Sequence, residues 1–319
     1  MKEFKVSKND AGQRLDRFIG KNVPLLPASL LQKYIRLKRI KLNGKGAKRD
    51  CRLECGDVLQ LYINDEFFDA PKPENAYLTV TTPRLDIVYE DENILLVDKK
   101  PGQAVHPHDG AEYGKTLIDH IQAYLYAKGE WRPREENSFA PALCNRIDRN
   151  TGGIVITAKN AEALRILNIK IRDRELEKRY LCVTLGKPEP PQGTISCFIL
   201  KDEKKNQVSV YHRPIPNGKT AVTHYKVLRC SGELCLVDVL LETGRTHQIR
   251  ASFADLGHPL LGDGKYGKGE KNRKYEEAFQ CLYSYRLTFA FRTDAGVLNY
   301  LQGKSFTVAE IPFVTKYFP

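Results

Sequence analysis

The chain has 319 residues, of which 41% are hydrophobic and 9% aromatic, and it carries a net charge of +12. That length fits about two globular domains, and the composition suits an ordinary soluble protein. It excludes a helical membrane protein, because no stretch approaches the roughly 20 apolar residues needed to span a bilayer. The opening Met1-Lys2-Glu3-Phe4-Lys5 lacks the apolar core of a secretory signal, so a cytoplasmic location is expected. Residues 1–64 hold 15 Lys and Arg against 6 Asp and Glu, which places +9 of the charge there and only +3 in the rest. A basic lobe on a nearly neutral body is the footprint of a polyanion binder. Of the eight cysteines, Cys51-x3-Cys55 and Cys230-x4-Cys235 do not make a zinc pattern with any nearby Cys or His pair. They read as reduced thiols.

In chain order, Asp10 and Gln13 are spaced as a capping box for a first helix with Leu15, Phe18 and Ile19 on its apolar stripe. Ser29 is placed to cap a second helix that turns Leu30, Leu31, Tyr34 and Ile35 inward. Lys33, Arg36, Lys38 and Arg39 decorate its far side and its end. Ile40-Lys41-Leu42 alternates as a strand into the turn Asn43-Gly44, and Val58 to Ile63 is a further strand. Residues 65–82, with Pro71 and Pro73, read as a semi-extended linker. A second domain begins near Pro83, with strands around 85–89 and 94–97. A helix spans about Thr116 to Tyr126, and the polar remainder of 109–140 reads as an insertion or flexible segment.

The stretch Cys144 to Lys159 carries one carboxylate, Asp148, on a polar loop before Gly152-Gly153 and the β-branched run Ile154-Val155-Ile156. Such a run fits a buried strand, and the glycines allow a sharp turn or a ligand's close approach. Arg146 and Arg149 flank Asp148 and favour its anion, which suits a nucleophile or base rather than a proton donor. Beyond it, Asn160 caps a helix to about Arg172 with Leu164, Leu167 and Ile171 inward. Glu177 to Val183 enters a strand, and Lys201 to Asn206 is a charged loop tip. Leu241 to Arg250 reads as a strand end, a turn at Gly244, and a helix capped by Thr246 and stopped by Gly257. Strands through Tyr285, Leu287 and Phe289 close the chain.

Arg146-Ile147-Asp148-Arg149 followed by Thr151-Gly152-Gly153 resembles the catalytic motif of the RluA-type pseudouridine synthases, His-Arg-Leu-Asp-Arg-Asp-Thr-Ser-Gly. Asn145, Ile147, Asn150 and Gly152 depart from it; the Arg-x-Asp-Arg and Thr-x-Gly remain. Lys99-Lys100-Pro101-Gly102 with Val105-His106-Pro107 is similar to the family's first motif. Leu241 to Arg250 and Leu256 to Asp263 resemble its third. Residues 1–64, through Arg14-Leu15-Asp16 and Lys41-Leu42-Asn43-Gly44-Lys45, resemble the alpha-L RNA-binding domain of the ribosomal-protein S-four type.

The resemblance implies an α+β protein. A small RNA-binding domain (1–64) and a linker (65–82) would precede a catalytic domain (83–319) built on a mixed, largely antiparallel sheet. It implies an isomerase acting on RNA, ribosomal RNA in the first place and transfer RNA as the alternative; a monomer with no membrane partner is expected. By the same resemblance Asp148 is the nucleophile, Tyr180 sits against the target base, and Arg245 pairs with Asp148. Arg146 would fill the gap left by a flipped base. Arg149, Arg14, Lys33, Arg36, Lys38, Arg39, Lys41 and Lys45 would hold RNA. Isomerising a uridine consumes no water and oxidises nothing, so no cofactor or metal is expected. His106 and His247 read as structural. Two other readings stand beside this one. A ribosome-associated RNA binder with an inactive enzyme domain would make no pseudouridine, and a base-excising glycosidase would release free uracil.

Overall fold

The computed structural model describes residues 1–319 except 24–25, 64, 69–76, 78–79, 81, 108–111, 113, 134–135, 204, 268, 270–271 and 273. Most of the expected linker therefore lies outside the described residues.

The basic N-terminal segment folds as β1 (Lys2–Lys5), α1 (Leu15–Asn22), α2 (Ala28–Arg36), β2 (Ile40–Leu42), β3 (Lys45–Gly46) and β4 (Val58–Leu61). Its four strands pair in the order β1-β4-β2-β3. The apolar stripes at helical spacing pack Leu15, Phe18, Ile19, Leu31 and Tyr34 onto Ile40, Leu59 and Leu61 as one core. Asn43 and Gly44 both take positive φ, which the two-residue turn between β2 and β3 demands. Two expected caps are absent. Helix α2 begins at Ala28 with Pro27 as its cap residue, so Ser29 lies inside its first turn. Asp10 caps no helix, since α1 starts at Leu15. It is fully buried and accepts from Ser7, from Asn137 Nδ2 at 2.9 Å and from Ser138 Oγ at 2.5 Å.

The second sheet has eleven strands. They are β5 (Ile87–Glu90), β6 (Ile94–Lys99), β7 (Ala142–Leu143), β8 (Gly152–Ala158), β9 (Leu176–Leu185), β10 (Gln192–Asp202), β11 (Gln207–Tyr211), β12 (Lys219–Ser231), β13 (Leu234–Leu241), β14 (Leu282–Phe289) and β15 (Ser305–Thr307). The main path runs β11-β10-β12-β13-β9-β14-β8-β6-β5. Every pairing is antiparallel except β8 with β14. Alternate residues of each strand feed opposite faces. Ile154 and Ile156 join the layer under α4 (Ala161–Arg172). Val155, Tyr180 and Cys182 join the layer under α3 (Leu117–Ala127) and α5 (Gln248–Asp255). Asn160 caps α4 as expected, accepting from the Ala163 amide at 2.9 Å.

The segment after α3 is packed rather than loose. Trp131 and Phe139 are buried. Its residues 136–138 bind the N-terminal lobe: Asn137 Nδ2 also donates to the Lys5 carbonyl, Gln13 Nε2 to Ser138, and Asn9 Nδ2 to Glu136. Arg165 of α4 donates to the Ala11 carbonyl. The expected thiols at 230 and 235 are corrected too: Cys230 and Cys235 face each other across the β12–β13 hairpin and form a disulfide. Among the described residues, no helix is long and apolar enough to cross a membrane.

Candidate active site

Asp148 stands on the loop that leads into β8, an interior strand of the large sheet. Three features fix that loop. Thr151 N–H closes a turn on the Asp148 carbonyl at 3.0 Å. Asn145, the departure from the usual His, accepts the Ile156 amide at 2.7 Å and ties the loop to β8. Lys99, fully buried at the end of β6, donates to the carbonyls of Lys100, Gln103 and Arg149 at 2.8–2.9 Å. Burial pushes the Lys99 amine down to about 7, against the pull of Asp148. Three carbonyl acceptors nevertheless require three N–H donors, which only the ammonium has.

The paired glycines answer to the parallel neighbour. A Cβ on Gly152 would lie 2.2 Å from the Tyr283 ring, and one on Gly153 would lie 2.3 Å from the Ser284 carbonyl. The close approach expected of a ligand is thus made by β14, and a serine at 152 would not fit beside Tyr283.

The cation that touches Asp148 is Arg250, not Arg245. Arg250 Nη1 donates to Asp148 Oδ2 at 2.9 Å. Its Nε and Nη2 fork onto both oxygens of Asp263 at 2.7 and 2.9 Å. Burial alone would raise the Asp263 carboxyl, but Arg250 and the amides of Tyr266 and Lys265 hold it below its ordinary range. The result is a buried chain of charge, Asp263–Arg250–Asp148, in which the outermost carboxylate is 28% exposed. Arg245 lines the same cavity, but its Nε donates to the Thr220 carbonyl. Arg149 also lines the cavity and pairs with Glu112.

His247, expected to be structural, also approaches the acid. It takes a left-handed backbone conformation (φ 51) at the start of α5, the place expected for Thr246. That kink brings Nε2 to 3.7 Å from Asp148 Oδ2 while Nδ1 hydrogen-bonds the Tyr266 hydroxyl at 2.9 Å. Burial lowers its pKa, with Asp148 pulling the other way. The signal available in sequence was spacing: His247 and Arg250 are three apart and share a helix face.

Tyr180, on β9, is 7% exposed and lines the cavity with Asp148. Burial pushes its hydroxyl up to about 12, with a hydrogen bond from Ser284 opposing, so it stays a phenol at neutral pH. The cavity measures about 630 Å³ and also meets Arg146, Lys178, Lys201 and Asn206, a size that suits a small-molecule or nucleotide ligand. Arg146 is exposed at its wall, and among the described residues no carboxylate pairs with it.

On the N-terminal lobe, Lys33, Arg36, Lys38, Arg39 and Lys45 are exposed, and among the described residues no carboxylate pairs with them. Lys41 lies over the Tyr62 ring. Arg14 differs, because Asp16 holds its guanidinium at 2.8 Å.

A partly exposed carboxylate paired with Arg250, in a cavity also lined by a buried phenol, is an arrangement able to support covalent or proton-transfer chemistry. The RNA pseudouridylate synthase family profile matches residues 93–255. A protein of Chlorobaculum parvum named uncharacterized RNA pseudouridine synthase is 34% identical over 82% of this chain and 77% of its own. The ribosomal large subunit pseudouridine synthase C of Vibrio cholerae is 32% identical over 82% of this chain and 79% of its own. Among solved structures, human RNA Pseudouridylate Synthase Domain Containing 4 shares the fold, with a TM-score of 0.58 at 19% identity over 76% of this chain and 94% of that one. The chain belongs to the RNA pseudouridylate synthase family, and it is an isomerase of the RluA type.

Proposed function

We propose that Asp148 is the nucleophile or base that isomerises a uridine in structured RNA, with large-subunit ribosomal RNA as the first candidate substrate. The observation that carries this reading is the position of Asp148, open to a nucleotide-sized cavity on one side and tied to Arg250 on the other. The reaction breaks the bond from C1′ to N1 and forms one from C1′ to C5; C5 loses a proton and N1 gains one. A fixed carboxylate suffices, by adding to the ribose or the base or by removing a ribose proton. Arg250 keeps the carboxylate aimed. Tyr180 presents a ring for stacking and a protonated hydroxyl for hydrogen bonding to the uracil. A uridine inside a helix is flipped out at a cost of a few kcal/mol, and Arg146 is placed to occupy the gap. The lobe of residues 1–64 serves as the RNA-binding domain, with Lys33, Arg36, Lys38, Arg39, Lys41 and Lys45 as phosphate contacts.

The test is incubation with an unmodified large-subunit ribosomal RNA transcript, followed by mapping of pseudouridine. The protein should form it at few positions, while Asp148→Ala should bind the transcript and form none. Full activity in Asp148→Ala, or release of free uracil, would overturn the reading.

A further inference from the structure

Behind the wall of the catalytic cavity lies a second concavity of about 510 Å³. The two share Asn150, Arg250, Lys265 and Gln280, so an occupant of one touches the residues that bound the other. Three features mark the second concavity as more than a surface irregularity. Phe279 is 38% exposed on it, a large aromatic ring left facing water beside a charged site. That ring is seated firmly: a Cβ on Gly102, whose φ is +91, would lie 3.2 Å from the Phe279 Cζ. The Gly102 amide in turn holds the Arg149 carbonyl at 2.9 Å, so Phe279 rests on the turn that grips the Asp148 loop.

The charges complete the picture. Lys205, 77% exposed, has among the described residues only a loose partner in Asp202 at 4.0 Å. Lys265 Nζ donates to the Asn206 carbonyl, and among the described residues no carboxylate pairs with it. Among the described residues, the one carboxylate on the wall, Glu277, is already paired with Lys316 at 2.6 Å and accepts a hydrogen bond from the Tyr317 hydroxyl. An exposed ring with two available ammonium groups is the combination that binds single-stranded nucleic acid, by stacking one base and holding its phosphate.

We propose that this concavity is a second nucleotide subsite, which takes the RNA residue next to the target uridine. Its base stacks on Phe279 and its phosphate lies between Lys205 and Lys265. The inference rests on the reading of the first cavity as the uridine site. It makes Phe279 a determinant of how tightly the RNA beside the target is held, because flipping one nucleotide draws its neighbour's backbone across the shared wall.

The experiment uses the full chain and a large-subunit ribosomal RNA transcript. Phe279→Ala should raise KM by about tenfold, the loss of one base–aromatic stack, whereas Phe279→Trp should restore it. Lys205→Ala should lower the slope of log affinity against log salt by about 0.7 to 0.9. The same substitutions are then measured by binding in the Asp148→Ala background, which does not depend on turnover. The subsite is refuted if Phe279→Ala leaves both KM and affinity unchanged, or if Phe279→Trp is as impaired as Phe279→Ala. A protein that binds the transcript but forms no pseudouridine would sink the catalytic reading alone, and the affinity series would still decide the subsite.

Discussion

Replacing Arg250 with lysine separates the observed ion pair from the expected one. Arg250 makes three charged hydrogen bonds, two to Asp263 and one to Asp148. A lysine keeps the charge but has one compact ammonium, which cannot fork onto Asp263 and reach Asp148 at once. A hydrogen bond to a charged group contributes about 1.5–3 kcal/mol. If the Asp148 bond is lost and persists in the transition state of the native protein, kcat falls by about 10- to 150-fold. Arg250→Ala should in addition unfold more readily, by about 3–5 kcal/mol, because Asp263 is left buried without a countercharge, on the amides of Lys265 and Tyr266 alone. Single-turnover pseudouridine formation on a ribosomal RNA transcript measures the first quantity, and urea unfolding the second. Arg245→Lys is the control: its guanidinium contacts a carbonyl at the cavity rim, so its effect should fall on RNA affinity. Equal kcat losses in the Arg245 and Arg250 variants, or an Arg250→Lys rate near that of the parent, would refute the assignment.

Gly152→Ala should lower the melting temperature and cost about 1–3 kcal/mol, since its methyl would overlap the Tyr283 ring; a variant with unchanged melting would show that β14 can move aside. Asp10→Ala should loosen the N-terminal lobe from residues 136–138, seen as faster limited proteolysis of residues 1–63 while the rest of the chain melts as in the parent. The pKa of His247 is lowered in the folded protein, so the unfolded chain takes up the proton first as pH falls. Its stabilising contribution is therefore present above the ordinary histidine value near 6.5 and is lost as pH drops below it. His247→Gln should melt with a shallower acid-side decline than the parent, and parallel declines would remove His247 from the account.

Much of this architecture was legible along the chain because its causes are local. The run Ile154-Val155-Ile156, the turn at Asn43-Gly44, the Asn160 cap and the stop at Gly257 each depend on residues within one or two turns of backbone. Asp148 stood out for the same reason, as the one carboxylate on a short loop ahead of a buried strand. The caps expected at Asp10 and Ser29 do not form, because a short polar side chain serves a helix end or a distant partner equally well. Asp10 chose Asn137 and Ser138, more than a hundred positions away.

The sequence by itself determined the class of protein, the position of the acid and the basic lobe. Tertiary structure alone decided which arginine holds that acid. Arg245 and Arg250 both follow the strand that ends at Leu241, and nothing in their spacing from Asp148 ranks them. The left-handed kink at His247 sets the phase of α5 and turns Arg250, 102 residues beyond Asp148, onto the carboxylate while Arg245 is left at the rim. Direction in space depends on how strands pair and where a helix begins, and neither is encoded within a single local window.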